Sequence, residues 1–187
     1  MRIISGLYKG RIIKAPKNIS VRPTTNRAKE ALFNILSNNF EFEKILALDL
    51  FCGIGSISFE LSSRGTKSVT AIDNNTLCIN FINNLNDKLK MEIRTIKTNV
   101  FSFLKKTKNK YDFIFADPPF NLNYSDYLEI IDIIFSSNIL PESGLLVIEH
   151  SKRYHFNQIK FFDQSRFYGN NTFSFFKKRQ AYKPDSV

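Results

Sequence analysis

Three stretches of this 187-residue chain combine residue types that could do chemistry. The first is Asp117-Pro118-Pro119-Phe120. Consecutive prolines fix the backbone and remove two N–H donors, which leaves nearby carbonyls as uncommitted acceptors. A carboxylate, fixed carbonyls and an aromatic plate together form a receptor for a flat ring that bears an exocyclic NH2. The second is Asp49-Leu50-Phe51-Cys52-Gly53-Ile54-Gly55. Glycines there let a ligand approach the backbone, and a helix starting just beyond them favours an anionic group. A glycine pair alone is weak, because any tight strand-to-helix turn can use one. The third is Asp73, 20 residues after Gly53. An acid at that place can accept hydrogen bonds from both ribose hydroxyls of a nucleoside cofactor. Taken alone it reads equally well as a helix N-cap, since Asp73-Asn74-Asn75 opens a helical stretch. Beside the glycine loop, the nucleoside reading is the better one.

The glycine loop and Asp73 suit NAD and S-adenosylmethionine equally, and details divide them. The dinucleotide fingerprint wants a third Gly or Ala where this chain has Ser58. Asp49, inside the loop, is awkward beside a pyrophosphate but suits the ammonium and sulfonium of S-adenosylmethionine.

The elements that must position these residues follow from hydrophobic periodicity. Ala28, Ala31, Leu32, Ile35 and Leu36 make one apolar stripe, which predicts a helix over about 26–38 with Thr24 or Thr25 as N-cap. Strands are expected at Ile45–Leu50, Ser68–Ile72, Glu92–Thr98, Asp112–Ala116 and Gly144–Glu149. Helices fall between them, at Gly55–Arg64, Asn75–Asn86, Phe101–Lys106 and Tyr124–Phe135. Such alternation means right-handed crossovers and an α/β, doubly wound, mostly parallel sheet. All three chemical stretches then fall at carboxyl ends of strands, where ligands bind in open α/β sheets. Phe156–Phe162 and Thr172–Lys178, joined by a polar stretch ending in Gly169-Asn170-Asn171, predict a C-terminal antiparallel hairpin. Residues 1–23 read as short extended pieces around Arg2–Ser5 and Arg11–Ala15, broken by Gly6, Gly10, Pro16 and Pro23. Two parts are expected, a basic extension over 1–40 and a catalytic core over 41–187.

Composition bounds the rest. Hydrophobic residues at 43% and charged ones at 24% exclude wholesale disorder. Cys52 and Cys78 form no CxxC or Cys/His cluster, so neither zinc nor a disulfide is expected, and a reducing, cytoplasmic setting is. The net charge is +10, and residues 1–30 carry +7 of it, with eight cations against the single acid Glu30. A basic arm on a nearly balanced body points to a polyanionic partner, with a general solubility bias as the bland alternative. Asp49 interrupts the best apolar run, Ile45 to Ile54, so no membrane span is expected, and no apolar h-region marks a signal peptide. His150 and Ser151 lack the elbow and third partner of a hydrolase dyad.

The Asp-Pro-Pro-Phe stretch resembles the hallmark of class I methyltransferases that modify exocyclic amino groups of nucleobases. The likeness extends over nearly the whole chain. Met1-Arg2-Ile3-Ile4-Ser5-Gly6, Lys9-Gly10-Arg11, Arg22-Pro23-Thr24-Thr25-Asn26-Arg27, Glu30-Ala31-Leu32-Phe33-Asn34-Ile35-Leu36, Ser63-Arg64-Gly65 and Tyr168-Gly169 are similar to the bacterial 16S ribosomal RNA guanine(966)-N2 methyltransferase family (RsmD type). The resemblance implies a Rossmann-like class I fold and S-adenosylmethionine as cofactor, with no metal. It implies 16S rRNA in the small ribosomal subunit as partner, no membrane, and a monomer in the cytoplasm. Asp49, Phe51, Gly53, Gly55, Asp73, Asn74, Asn99, Val100 and Asp117 would hold the cofactor. Asp117, Pro118, Pro119 and Phe120 would be catalytic. Arg11, Arg22, Thr24, Thr25, Arg27, Phe120 and Tyr124 would meet the RNA, although Thr24 and Thr25 also serve as a helix cap and Tyr124 as a structural aromatic. The family places an acid where this chain has Asn99, which can accept through its amide oxygen but without charge. Two rival readings share these residues: an adenine-N6 methyltransferase acting on DNA or RNA, and a non-catalytic RNA-binding assembly factor. An NAD oxidoreductase is more distant.

Overall fold

Five apolar runs pair in parallel: β1 (Leu46–Leu50), β2 (Ser68–Asp73), β3 (Ile93–Lys97), β4 (Phe113–Ala116) and β5 (Leu145–Ser151). The computed structural model describes residues 1–16, 19, 25–119, 121–169 and 171–178. Two antiparallel strands, β6 (Phe162–Tyr168) and β7 (Asn171–Phe176), complete one seven-stranded sheet in the order β3-β2-β1-β4-β5-β7-β6. The chain winds outward from β1 to β3 and then returns to lay β4 on the other side of β1. The crevice between β1 and β4 is therefore the topological switch point, where such sheets bind ligands.

Side-chain alternation sends the sheet's apolar residues to two cores. Ala47, Ala71, Phe113, Phe115, Val147 and Phe173 pack under α1 (Asn26–Asn39), α2 (Ser56–Ser63) and α3 (Thr76–Leu89). Leu48, Leu50, Ile114, Ala116, Leu146 and Ile148 pack under α4 (Val100–Lys106) and α5 (Tyr124–Ser136). The doubly wound, mostly parallel architecture with a C-terminal hairpin is the one the sequence predicts.

The hairpin's first strand is a correction. Phe156–Phe162 is not a strand: Phe156 is buried, stacks on Tyr124 and meets His150 and Phe176 edge-on. The chain then turns through Ile159 N–H to Phe156 O (2.9 Å) and Phe162 N–H to Ile159 O (3.1 Å), with Phe161 at φ 72°. The strand is the stretch that looks like a polar connection, Asp163-Gln164-Ser165-Arg166 with its flanks. As the sheet's edge it is half-exposed, so its polarity hides its conformation.

The N-terminal residues form a small hairpin, with Ile3 and Ile13 buried and one antiparallel bridge, Arg2 to Ile12. It docks on α2 through Glu60, which is fully buried. The Glu60 carboxylate accepts from the N–H groups of Ile4 (2.8 Å) and Ser5 (3.0 Å) and from Arg64 Nε (2.9 Å). Lys29 Nζ lies 3.4 Å from it and donates to Arg2 O at 2.7 Å. Lys29 is 1% exposed, so this member of the basic arm is an internal counter-ion and not a docking charge. The hairpin also lies against Ser63, whose carbonyl accepts from Leu7 N–H (2.7 Å).

Gly6 sits at the closest approach, at φ +81°, where a Cβ would lie 1.8 Å from Ser63 O. Gly169 has φ +61° with open space around it. Gly6→Ala therefore incurs both backbone strain and a backbone clash, together about 2–5 kcal/mol, whereas Gly169→Ala incurs strain alone, about 1–2 kcal/mol. Urea midpoints of the two variants check this. Equal losses would show that the hairpin does not pack on α2 as described.

Candidate active site

A cavity of about 620 Å³ opens beyond the carboxyl ends of β1, β2, β4 and β5. Its floor is the β1–α2 loop. Phe51 (φ 58°), Gly53 (φ 51°) and Gly55 (φ 78°) all take left-handed backbone. A Cβ on Gly55 would meet Ile82 at 3.0 Å and Phe59 at 3.1 Å, so glycine there lets α2 start tight against α3.

Asp73, at the end of β2, fastens this loop. One carboxylate oxygen accepts from Gly53 N–H and the other from Asn75 N–H, each at 2.8 Å. Asn75, not Asp73, is the N-cap of α3. Asp73 remains part-exposed at the cavity wall, with lone pairs beyond those two bonds.

Asp49 is the deepest acid, 1% exposed at the cavity floor. Its Oδ2 accepts both from Ser58 N–H (3.0 Å) and from the Ser58 hydroxyl. Burial pushes its carboxyl up to about 7, against the pull of those two bonds, and nearby Asp73 adds a smaller push the same way. Ser58 thus supports the acid at the position where a dinucleotide fold would carry glycine or alanine. Ser56, at the first turn of α2, also lines the cavity, and its buried hydroxyl has no partner among the described residues.

On the far wall, Asn99 caps α4, its amide oxygen accepting from Ser102 N–H at 3.1 Å. That leaves the Asn99 NH2 group as a donor. Phe101 stands beside it at the cavity wall. Asp117 extends the β4 ladder, with its N–H donating to Leu50 O at 3.3 Å. The Pro119 carbonyl accepts from Leu122 N–H (3.1 Å), whereas among the described residues no N–H donates to the Pro118 carbonyl.

Of the residues assigned from sequence, Asp49, Phe51, Gly53, Asp73, Asn74, Asn99, Asp117, Pro118 and Pro119 share this cavity. Gly55 lies behind it in the loop, and Val100 is buried at the start of α4. Tyr124 does not line it: its ring packs on Tyr154 and Phe156, and its hydroxyl donates to His155 O at 2.9 Å. Thr25 caps α1 through Ala28 N–H (3.2 Å), and Arg11 and Arg27 are exposed away from the cavity lining. Arg22, Thr24 and Phe120 lie outside the described residues.

Sequence reasoning missed Glu149, Asn171, Ser56 and Phe101. Glu149 is an acid at the end of an otherwise apolar run, a signal available in the sequence. Asn171 reaches the cavity only because β7 pairs with β5. Cys52 and Cys78 also line the cavity, and burial pushes both thiols up, Cys78 to about 11, so neither is a thiolate nucleophile. Among the described residues no cluster of three His, Cys, Asp or Glu is placed to hold a metal, and no helix is long and apolar enough to cross a membrane.

Residues 1–177 match the family described as Conserved hypothetical protein 95. A Buchnera aphidicola protein named ribosomal RNA small subunit methyltransferase D is 35% identical, covering 80% of this chain and 75% of that one. The crystal structure of a candidate methylase from Haemophilus influenzae matches with a TM-score of 0.76 at 27% identity, over 95% of this chain and 97% of that one. A Thermus thermophilus 16S rRNA N2 G1207 methyltransferase, solved with AdoMet and guanosine, shares the fold (TM-score 0.66, 17% identity, 83% of this chain and 44% of that one).

The raised carboxyl of Asp49 makes stability pH-dependent. Between pH 4 and 7 the folded protein keeps a proton that the unfolded chain has released. The contribution of this group is therefore fully present below its unfolded value and is lost as pH rises through about 7. Asp49→Asn, which keeps an acceptor for Ser58, should match wild type at pH 4 and be more stable at pH 8, by up to roughly 4 kcal/mol. Urea midpoints across pH 4–8 measure this, and a difference that does not change with pH overturns it.

Proposed function

This chain belongs to the Conserved hypothetical protein 95 family, that of the RsmD-type methyltransferases, and we propose that it methylates the exocyclic N2 of a guanine in 16S ribosomal RNA, within the small ribosomal subunit, using S-adenosylmethionine. The observation that carries this reading is that Asp117-Pro118-Pro119 opens into the same cavity as the Asp49–Ser58 floor and Asp73. A receptor for an amino-bearing ring thereby faces a receptor for a cationic nucleoside. The relatives' name supplies the ribosomal RNA, and the Thermus enzyme shows guanine-N2 chemistry on the same fold.

The residues present fit the cofactor. The buried Ser56 hydroxyl at the start of α2, which has no partner among the described residues, suits a carboxylate, and Asp49 at the same cavity suits an ammonium. Asp73 suits ribose hydroxyls, and the Asn99 amide with the Phe101 ring suits an adenine. When bound, S-adenosylmethionine supplies an electrophilic methyl group on a sulfonium, which departs as a neutral thioether.

The chain's own part is to prepare the acceptor. Guanine N2 is a poor nucleophile because its lone pair is delocalised into the ring. Asp117 and the Pro118 carbonyl accept its two N–H groups, which turns the lone pair toward the methyl and stabilises charge developing on nitrogen. The nitrogen gains a methyl and loses one proton, which Asp117 takes. Phe120 stacks on the target base, which leaves any helix to reach the cavity. Much of the acceleration is positioning of two bound reactants. Residues 1–40 form the RNA-contacting part and 41–187 the catalytic core, a monomer acting in the cytoplasm.

The deciding experiment offers labelled methyl donor with either small subunits from a strain lacking the modification or naked 16S RNA, and identifies the labelled nucleoside by mass. N2-methylguanosine is expected; N6-methyladenosine, or no transfer, overturns the reading. Asp117→Ala should cut single-turnover rate at least a hundredfold with little change in cofactor affinity. A near-normal rate would remove the carboxylate from the transfer. In the arm, Arg2, Lys9, Arg11 and Lys14 are all exposed. Replacing the four with Gln should flatten the log–log salt dependence of RNA affinity by about three units, at roughly 0.7–0.9 per phosphate contact. An unchanged slope in a folded variant would make the arm a solvated surface.

A further inference from the structure

Beyond residue 30 the chain's charge is balanced only in sum. Residues 31–149 hold eleven Lys and Arg against fourteen acids, whereas residues 150–178 hold six against the single acid Asp163. This second basic block contains β6, β7 and the turn that leaves β5. It also contains an exposed ring. Among the described residues every Phe and Tyr is buried or half-buried except Phe167, which is 64% exposed.

Strand pairing places that ring. Phe167 lies opposite Thr172 on β7, and Thr172 lies opposite His150 near the end of β5. Directly paired residues of antiparallel strands share a sheet face. His150 packs edge-on against Tyr127 and Phe156, so Phe167 stands on the α4–α5 side, level with the carboxyl ends where the cavity opens. Its neighbours Arg166 and Tyr168 pair with Phe173 and Asn171 and stand on the other side. Asn171 lines the cavity, and Phe167 does not. β6 lies two strands beyond β5, about 10 Å at the usual spacing. The ring is therefore outside the cavity, at the same end of the sheet.

The turn after β5 starts at that end too, with Lys152 and Arg153 exposed. Arg153 Nη2 donates to the Tyr154 hydroxyl at 2.8 Å, and the Tyr154 hydroxyl donates to Leu122 O at 3.1 Å. Leu122 lines the cavity, so this turn is tied to the rim that Asp117 and Pro118 begin.

Charge and shape choose among the occupants. One exposed ring is not an apolar patch of the size that docks a protein. A second copy would set two blocks of like charge together, which opposes association. An RNA strand suits both features: any base offers a π-face to a ring, and its phosphates meet cations. Taking a target base out of its stack also frees the face of its neighbour.

We propose that Phe167 is a second RNA contact, stacking on a nucleotide that flanks the target, while Lys152 and Arg166 meet neighbouring phosphates. This rests on the ribosomal RNA reading above.

The test measures equilibrium binding to small subunits that lack the modification, across a salt series, with urea midpoints to confirm folding. Phe167→Ala should weaken binding about five- to a hundredfold, the worth of one base stack, with the salt slope unchanged. Phe167→Trp should keep the affinity and Phe167→Leu should not, since leucine has apolar bulk but cannot stack. Lys152→Gln together with Arg166→Gln should flatten the log–log slope by about one and a half units. A photoreactive Phe167→p-benzoyl-Phe variant should crosslink to 16S RNA beside the modified nucleotide. Wild-type affinity in Phe167→Ala overturns the proposal. So does full affinity in Phe167→Leu, or a crosslink to a ribosomal protein or to a second copy. If wild type itself binds no subunits, the ribosomal RNA reading fails, and this contact with it; wild type that binds beside an equally tight Phe167→Ala sinks the contact alone.

Discussion

A single carboxylate with no access to water holds two parts of the molecule in register. Glu60 gathers two backbone N–H groups from the N-terminal hairpin, a guanidinium from its own helix and an ammonium from α1. A buried charge is tolerable only when its acceptor capacity is filled, and removing one partner of such a set is far costlier than forming it is beneficial. Burial lowers the Lys29 ammonium's proton affinity, and the Glu60 carboxylate beside it opposes that. The helix that carries Glu60 begins at the glycine loop, four residues before Glu60 itself. The hairpin that presents Arg2 and Arg11 to solvent and the loop that floors the cavity are therefore mounted on the two ends of one eight-residue helix.

The acids at the switch point divide their work by depth. Asp73, part-exposed, spends both oxygens on backbone donors that shape the loop, and it stays wet enough to meet hydroxyls. Asp49, buried, spends one oxygen on Ser58 and is poised to change protonation when a cation enters. Asp117 and Glu149 stand at the far side, on neighbouring strands. The cavity is consequently acidic along much of its length, although the chain as a whole carries +10. On the proposed reading, the acidic cavity is the part suited to a cationic cofactor and the basic N-terminal residues the part suited to a polyanionic partner.

How much of this was legible in the sequence depends on how local each feature is. The parallel sheet was legible because its central strands β1, β4 and β5 are buried apolar runs and every strand is followed by a helical stretch or the terminal hairpin. Asp49, Asp73 and Asp117 were legible because strand ends can be located and chemistry concentrates there. Phe156 misled because a buried aromatic in a turn looks like strand. The true edge strand was hidden because half-exposed strands need few apolar residues. The partnership of Glu149 with Asn171 was not legible: it depends on β7 inserting between β5 and β6, a choice made by pairing across 22 residues. Lys29 counted as a surface cation for the same reason, since its partner Glu60 lies on another helix.

The placement of β7 between β5 and β6 also bears on how the chain avoids its own aggregation. Until the hairpin docks, β5 is the rim of the sheet, and Leu145-Leu146-Val147-Ile148 is an open template for any passing strand. β7, with Phe173, Phe175 and Phe176, is more hazardous still when unpaired. Joining them satisfies both ladders at once and moves the boundary outward to Asp163, Gln164 and Arg166, whose charge and irregular register at Phe162/Gln164 repel further pairing. The nascent protein is thereby at greatest risk in the interval between collapse of the parallel strands and arrival of the hairpin, and a chaperone that recognises apolar strands would find its binding site there.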